Sequence, residues 1–514
     1  MSTGLPIIVG VERCGELDEP DAQPLLSFFE AELRARRQAY PHSPLLLLLP
    51  RTADALLSVL TAAAAAVDAR ITRIVGADAS GGDPGELDPL AGDCHLLIRV
   101  TRASGRGNDR LAPGVRRDGT AGEVRPVGLE ARYQVELIEV LLPADRSSPA
   151  YSVSRSWITG IEVSPAVSGA ITDKALRRTE QFNRDAQALQ RRTRSAAERP
   201  APLIPPGIAA SEPCARLHGL FTVADELSNL YQIKVTRAFQ SIFAVAMLAA
   251  VLYGLFLIYG SGDRPLQEYL LAPYLALLLG AYAVYYGAKR ADLYDRFVEY
   301  RALAEGARVQ LYWLACGADG VVTDDYFAAH AVELHWIRVA LRFASPSPTQ
   351  HPPAQAADPG RTAQALRYWI TREKGYYTRS SARSVRIQKW SIALVRILFI
   401  CGGCTTLLVL FQSQIPIAPL LKRIALASFL CPSVAAAVVA LVNKLGVLYR
   451  AEHHSRMLAL YAQAGRYLDR SAPAQAMSLA DALGQAALRE SEEWTVFRRE
   501  RRIDEPASPF RRPW

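Results

Sequence analysis

Uncharged runs divide the chain into strongly apolar and polar segments. Residues 238–259 read AFQSIFAVAMLAAVLYGLFLIY and residues 269–288 read YLLAPYLALLLGAYAVYYGA, and neither run contains a charged side chain. At a rise of ~1.5 Å per residue, a helix of this length spans the ~30 Å hydrocarbon layer of a bilayer. The two runs predict a helical hairpin that crosses a membrane. The competing interpretation is a hairpin buried inside a soluble protein.

A second pair of apolar runs follows at residues 390–411 and 424–442. Pro432 inside the fourth run predicts a kink. Arg396 is the one charge in the third run and lies about two helical turns from its basic end. Its side chain fits either of two roles: it extends to the membrane interface, or it lines a pore or binds a ligand.

Basic residues surround the apolar runs, and the chain carries a formal net charge of +9 with a pI near 9.2. Basic segments precede the first run, separate the second from the third, and follow the fourth. This distribution predicts that both termini and the central polar region are cytoplasmic, in a multi-pass protein of a cell inner membrane. The same rule explains the positive charge without a nucleic-acid partner.

Strand and helix patterns alternate in the N-terminal part, at about residues 1–145. Short apolar runs at residues 5–11, 45–49, 70–75 and 93–100 predict strands, and residues 21–40 and 53–67 predict the helices between them. Alternation of this kind indicates a parallel, doubly wound α/β sheet, which binds ligands at the carboxyl ends of its strands. Residues 133–142 alternate apolar and polar side chains, which predicts an edge or half-exposed strand.

Cysteine and histidine patterns give weaker signals. The seven cysteines are scattered, so they imply neither a disulfide framework nor a zinc site. Cys401 and Cys404 form a C-G-G-C motif inside an apolar run, where small-residue helix packing is favoured over a redox pair. His330 and His335 lie on different faces of a helix, which favours structural histidines over metal ligands. The first residues, MSTGLP, lack the features of a secretory signal.

The order of residues in the N-terminal part resembles the SLOG domains, Rossmann-like sensors related to LOG-type nucleotide phosphoribohydrolases. The resemblance is carried by VGV-x3-G-x-L-D from Val9, by YPHSPLLLLL, and by TADALL and DCHLLI. It implies a ligand-binding site at the first loop, at the loop after the second strand, and at a phosphate-binding Gly-Thr loop with a nearby Glu. The corresponding residues here are Gly10, Arg13, Gly15, Asp54, Gly119, Thr120 and Glu123.

Two departures from the SLOG pattern affect the expected chemistry. Arg13-Cys14-Gly15 stands where the family has Gly-His-Arg, and Thr52-Ala53-Asp54 stands where it has Gly-Ala-Asp. Without the loop His and Arg, sensing or scaffolding is favoured over catalysis. An ordinary turn around Gly119 and a helix-capping role for Asp54 explain those residues equally well.

The AEGAR sequence at residues 304–308 and the helix predicted at residues 479–500 resemble SLATT membrane effectors. This resemblance implies a homo-oligomer that responds to a nucleotide-derived signal by opening or leaking through its membrane helices, as in bacterial anti-phage defence. No other cofactor is implied. A membrane-anchored nucleotide or phosphoribosyl hydrolase using Glu123 and a non-enzymatic membrane scaffold are the alternatives. A hairpin followed by cytosolic helices occurs twice, which predicts a weak internal duplication.

Together these patterns predict an α/β, Rossmann-like N-terminal domain and an all-α membrane domain with four transmembrane helices and cytosolic helical extensions. The predicted boundaries are residues 1–145 for the sensor domain, 146–237 for a connecting strand, helix and Pro-rich linker, 238–288 and 390–442 for the two transmembrane hairpins, 289–389 for central cytosolic helices, and 443–514 for C-terminal cytosolic helices.

Overall fold

The structure of the protein is a computed structural model of the chain. It describes residues 4–14, 22–50, 54–74, 95–102, 134–142, 152–159, 165–193, 203–204, 212–259, 264–318, 320–327, 334–345, 359–411, 420–472 and 475–499. The chain forms two compact units. Unit 1 comprises Met1–Ala224, Ala302–Ala357 and Ala487–Glu492, and unit 2 comprises Asp225–Arg301, Asp358–Ala486 and Glu493–Trp514.

Unit 1 contains a six-stranded sheet with the strand order β3-β2-β1-β4-β5-β6. Its strands are β1 (Ile7–Cys14), β2 (Leu45–Pro50), β3 (Arg70–Ile74), β4 (Leu96–Arg102), β5 (Gln134–Leu142) and β6 (Ser152–Thr159). The first five strands are parallel, and β6 pairs with β5 antiparallel. The α/β alternation predicted for this part of the chain is therefore confirmed.

Both faces of the central strands are covered, which explains their almost continuous apolar sequences. Helices α1 (Ala22–Ala39) and α2 (Asp54–Ala66) share one core with the side chains of Val9, Leu47 and Ile98. The residues next to these in sequence, such as Ile8 and Leu97, point to the opposite face and are also buried. Right-handed crossovers from β1 to β2 and from β2 to β3 place α1 and α2 on the same face.

Residues 133–142 are predicted to form an edge strand or a half-exposed strand, and the edge position is wrong. Strand β5 lies between β4 and β6, because residues 152–159, inside the segment predicted to hold a connecting strand, add an antiparallel strand beside it. The alternation itself is real: Ile138 and Val140 are buried, whereas Leu141 is exposed. The pattern recorded which side chains of β5 face the core, but it carried no information on whether another strand pairs beside it.

The remaining elements that the structure describes are helices. They are α3 (Pro165–Thr193), α4 (Glu212–Tyr259), α5 (Arg264–Arg290), α6 (Leu293–Cys316), α7 (Val322–Asp325), α8 (His335–Ala344), α9 (Pro359–Leu410), α10 (Leu421–Leu445), α11 (Val447–Leu468) and α12 (Ala476–Arg499). The residues before the first apolar run are continuous with it in α4, and the basic segment before the third run is continuous with it in α9. Residues 346–358 lie outside the described residues.

The helices of the C-terminal half repeat the element order of those before them. Helices α4, α5 and α6 have 48, 27 and 24 residues, and α9, α10 and α11 have 52, 25 and 22. In each set a residue with positive φ, Asp292 or Gly446, stands between the second and third helix. This common order agrees with the predicted duplication, which stays a prediction because it rests on element lengths.

Tyrosine pairs join the long helix to the third helix in both sets. Tyr231 of α4 meets Tyr300 of α6 with ring centroids 5.7 Å apart, and Tyr377 of α9 stacks on Tyr461 of α11 at 5.7 Å. In the first set, Arg301 also pairs with Asp225 at 2.7 Å. The two tyrosine pairs and the ion pair lie within unit 2 and outside the apolar runs. Each long helix is therefore held by a partner helix over its polar part.

The AEGAR sequence marks a close approach within unit 1. A Cβ built on Gly306 would lie 2.6 Å from Leu341 Cδ1 and 2.9 Å from Tyr326 Cε1. The Tyr326 ring cannot easily move, because its hydroxyl donates to Ala302 O at 3.0 Å and meets Ser491 Oγ at 2.9 Å. Glycine is therefore required at position 306 by packing.

We predict opposite effects for two glycine substitutions in helices of unit 1. Gly306→Ala should lower the free energy of unfolding by about 1–3 kcal/mol, because the new methyl group overpacks the Tyr326 site. Gly219→Ala serves as the control: nothing lies within 4 Å of its Cβ, so it should stabilise helix α4 by up to about 1 kcal/mol. Thermal unfolding of the full-length protein in mild detergent measures both, and an unchanged or raised midpoint for Gly306→Ala contradicts the packing argument.

Candidate functional site

Two of the residues predicted to bind a ligand, Arg13 and Asp54, lie toward the carboxyl edge of the sheet, and Gly10 lies in the middle of β1. Gly10 is buried in β1 and pairs with Leu48 of β2 and Leu97 of β4. Arg13 occupies the next-to-last position of β1, and Asp54 is the first residue of α2, which follows β2. Because β1 and β2 are parallel neighbours, Arg13 and Asp54 are placed at the same sheet edge. Gly15, Gly119, Thr120 and Glu123 lie outside the described residues.

The amino edge of the sheet carries a buried polar cluster that the sequence analysis did not identify. Asn183 of α3 accepts from Leu5 N–H through Oδ1 at 2.7 Å, and its Nδ2 donates to Leu5 O at 2.7 Å and to Ser43 Oγ at 2.9 Å. The Ser43 hydroxyl donates to Glu180 at 2.7 Å, and the same carboxylate accepts from His42 N–H at 3.0 Å. Helix α3 is thereby fixed to the chain entering β1 and β2.

A signal for this cluster is visible in the helix pattern. Glu180 and Asn183 are separated by three residues and share the buried side of α3 with Leu176 and Ala186. Polar side chains inside an apolar stripe are costly unless they are hydrogen-bonded, so they mark a position with a fixed partner. The sequence does not identify that partner, because Leu5 and Asn183 are 178 residues apart.

Two buried histidines of unit 1 lie close enough to influence each other. His95 precedes β4, and its Nδ1 accepts a hydrogen bond from Ile8 N–H at 3.1 Å. His335 begins α8, next to Trp336, whose ring lies 6.1 Å from that of Phe182 in α3. Burial lowers the pKa of His95 to about 3, helped by the nearby His335. Burial and then Arg338 lower the pKa of His335 to about 4.

The hydrogen bond at His95 determines what its imidazole can do. Since Nδ1 accepts from a backbone N–H, the neutral ring carries its proton on Nε2, and that nitrogen cannot act as a neutral metal ligand. Within the part of the chain that the structure describes, no group of three or more His, Cys, Asp and Glu side chains has a metal-binding arrangement. Both histidines are therefore buried and neutral in the folded chain, and the preference for structural histidines over metal ligands stays a prediction. His330 is outside the described residues.

A second polar network surrounds the AEGAR sequence. Glu305 and Arg308 form an ion pair in which both side chains are largely buried. Phe327 has a left-handed backbone with φ of 57°, and its N–H donates to the carboxylate of Glu492. The AEGAR sequence thus fixes α6 against α8 and residues 487–492 inside unit 1.

Four helices, α4, α5, α9 and α10, include stretches long and apolar enough to cross a membrane. At most 11% of the most apolar 18-residue stretch in any of the four is buried. Large side chains such as Tyr269, Leu279, Ile400 and Leu410 are more than 60% exposed. A hairpin buried in a soluble core would show the opposite pattern, so the side chains are arranged as in a membrane protein.

Small residues allow close packing between these apolar helices. A Cβ on Gly254 would meet the Phe429 ring at 2.9 Å, and one on Gly402 would meet Pro432 at 3.0 Å. The prediction that the C-G-G-C motif serves helix packing is confirmed for Gly402, while Cys401 and Cys404 are exposed free thiols. Arg396 is exposed on α9. Its pore-lining role stays a prediction.

Comparisons with protein-family models, with curated proteins and with solved structures found no match to this chain. The class that the structure itself defines is a mostly helical protein with four long apolar helices and a small parallel sheet near its N-terminus. Because no comparison found a match, the SLOG and SLATT assignments are proposals.

We predict that Asn183→Ala lowers the free energy of unfolding by about 2–4 kcal/mol, because it leaves the buried N–H and C=O of Leu5 without their partner. Arg184→Ala, an exposed change on the next residue of the same helix, should stay within about 0.5 kcal/mol of the parent protein. Chemical unfolding of the full-length protein, followed by tryptophan fluorescence, compares the two. Equal effects would show that the cluster does not stabilise unit 1.

The buried histidines predict a loss of stability in acid. In the unfolded chain a histidine takes up a proton near pH ~6.5, but the folded chain keeps His335 neutral down to about pH 4. The unfolded state therefore binds more protons in that window, and stability falls as pH decreases through it, by about 3 kcal/mol at most for this residue. In His335→Gln, which does not titrate, the unfolding midpoint should fall less between pH 7 and 4. Parallel curves for parent and variant would contradict this assignment.

Proposed function

We propose that the protein is a membrane effector whose N-terminal α/β domain senses a nucleotide-derived signal and whose membrane helices respond by opening or leaking. In this proposal the sensor domain is Rossmann-like and of the SLOG type, the helical part is SLATT-like, and both termini are in the cytoplasm of a bacterial cell. The protein would act as a homo-oligomer in anti-phage defence. The observation that carries the membrane part is the exposed apolar surface of four long helices.

The strand order supports the proposed sensor role. In the order β3-β2-β1-β4-β5, the chain adds β2 and then β3 on one side of β1, and then adds β4 and β5 on the other side of β1. Doubly wound sheets bind ligands outside the carboxyl ends of their strands at such a reversal point. Gly10 and Arg13 lie on β1 at this point, and Asp54 begins the helix after its neighbour β2. The N-terminus of α2 supplies backbone N–H groups, which favour an anion such as phosphate.

A signal can shift the membrane helices only if it binds one conformation more tightly than the other. Helices α6 and α12 each pass from one unit into the other. Residues 302–316 of α6 and 487–492 of α12 belong to unit 1 together with the sheet, and the rest of both helices belongs to unit 2. These covalent connections offer a route by which ligand binding at the sheet changes the membrane helices. A ligand that increases ion flux must bind the open conformation more tightly, so the proposal can be tested by measuring flux without a structure of the open state.

The alternative is a membrane-anchored hydrolase of nucleotides or phosphoribosyl compounds, with Glu123 as the catalytic carboxylate. Cys14 and Gly15 stand where the family's Gly-His-Arg has its His and Arg, and this replacement favours the sensor. Turnover that is lost in Glu123→Gln while binding is retained would instead support the hydrolase.

The test is ion flux from liposomes that contain the full-length protein, measured with a panel of cyclic and ADP-ribose nucleotides. The full chain is needed because a fragment of residues 1–206 would lack the parts of unit 1 at 302–357 and 487–492. One nucleotide should increase flux, and Arg13→Gln or Asp54→Asn should reduce both its binding and its effect. Arg34→Gln, an exposed change on α1, is the matched control and should respond like the parent protein.

Outcomes other than ligand-dependent flux separate the alternatives. Binding and turnover without flux would favour the hydrolase. Neither binding nor flux with any nucleotide of the panel would favour a scaffold and would contradict the effector proposal.

A further inference from the structure

Positive charge is concentrated without compensation in one part of the chain. Residues 374–451 contain ten Lys and Arg residues and no Asp or Glu. This segment covers most of α9, all of α10 and the start of α11. Any neutralising group must therefore come from elsewhere in the chain or from outside it.

Three of these cations form a stripe on α9 directly before its apolar part. Arg379, Arg383 and Arg386 are exposed, and no ion pair joins them to any residue that the structure describes. At 3.6 residues per turn they fall on one side of the helix, within an arc of about 80° that also contains Trp390, Leu394 and Ile397. The three arginines are called the basic stripe below.

The same helix side changes from basic to apolar at Trp390. Trp390 is 72% exposed, and Leu394 and Ile397 are exposed beyond it. Arg386 and Arg383 lie ~6 and ~10 Å before Trp390 along the helix axis, and Arg379 lies ~16 Å before it. The polar headgroup layer on each side of a bilayer is about 5–8 Å deep, and exposed tryptophans favour its boundary with the hydrocarbon.

The opposite side of α9 already has a partner. Tyr377 stacks on Tyr461 of α11, Ser381 lies 3.1 Å from Ser455, and Ser384 Oγ lies 3.0 Å from His454 Nδ1. The basic stripe therefore faces away from the packed interface. A second copy docked through the same stripe would place like charges against each other, so self-association does not satisfy it.

We propose that the basic stripe of α9 binds the headgroups of anionic phospholipids at the membrane surface where α9 enters the bilayer. The apolar residues that continue the stripe contact the acyl chains of the same lipids, so that one helix side recognises both parts of the molecule. Arg386 lies within the headgroup layer and contacts the phosphates directly, and Arg383, just beyond the layer, reaches them through its long side chain. Arg379 acts through the negative surface potential. This inference rests on the membrane placement in the proposed function, but it needs no nucleotide signal.

The test is retention of lipid by the full-length protein in mild detergent. The purified protein is incubated with phosphatidylglycerol or phosphatidylcholine of identical acyl chains, and bound lipids are counted by native mass spectrometry. The parent protein should prefer phosphatidylglycerol. A cation near an anionic lipid surface contributes about fivefold in affinity, so changing all three stripe arginines to Gln should reduce the preference at least ~10-fold.

A charge-matched control lies on the same helix. Arg361, Arg367 and Lys374 are exposed residues of α9 that lie ~24–44 Å before Trp390, beyond the reach of headgroups. Changing these three to Gln removes the same charge and should leave the lipid preference unchanged. Changing the three stripe arginines to Lys should largely keep the preference, and thermal unfolding of each variant shows whether the fold is intact.

Several results would overturn the proposal. Equal retention of the two lipids by the parent protein, or an equal loss of preference in the stripe and control variants, would exclude a site at the stripe. At the same ionic strength, we expect inorganic phosphate to displace the lipid no better than chloride does. If phosphate displaced the lipid specifically, the stripe would be a site for a free anion instead. A chain that stays soluble without detergent or lipid would overturn both this inference and the proposed membrane function.

Discussion

The constraint on which the rest of the structure depends is the apolar surface of four long helices, most of which is left uncovered by the described parts of the chain. A backbone in hydrocarbon must satisfy its own hydrogen bonds, which only continuous helices do here. Helices α4 and α9 meet this requirement and also extend well beyond the length of a bilayer. Their polar extensions then need partners, and α6 and α11 supply them through the tyrosine pairs with Tyr231 and Tyr377.

Unit 1 is held together by contacts between residues that are far apart in sequence. Asn183 joins α3 to the start of β1, His95 accepts from Ile8 N–H, and Tyr326 reaches Ser491 of α12. Each contact satisfies a buried polar group, whose unmet hydrogen bonds would otherwise be costly. The consequence is that the α/β sheet and later segments of the chain form one compact unit.

Acidic residues are unevenly distributed along the chain, as apolar residues are. Carboxylates such as Asp225 and Glu299 pair with arginines of unit 2, whereas the segment from Lys374 to Ala451 has no acidic residue. Paired charges fix helices to one another, and unpaired charges remain available to an outside partner. The same helix α9 therefore serves packing on one side and leaves a cationic surface on the other.

The sequence by itself determined the four apolar helices, the first four strands and helices α1 and α2, because hydrophobic period and run length depend only on neighbouring residues. It also placed Arg13 and Asp54 near one edge of a sheet. Only the tertiary structure decided that β5 is covered by β6, that Gly306 is fixed by Tyr326, and that Asn183 meets Leu5. These features depend on which distant segments pack together, and a local pattern shows that a side chain is buried without identifying its partner.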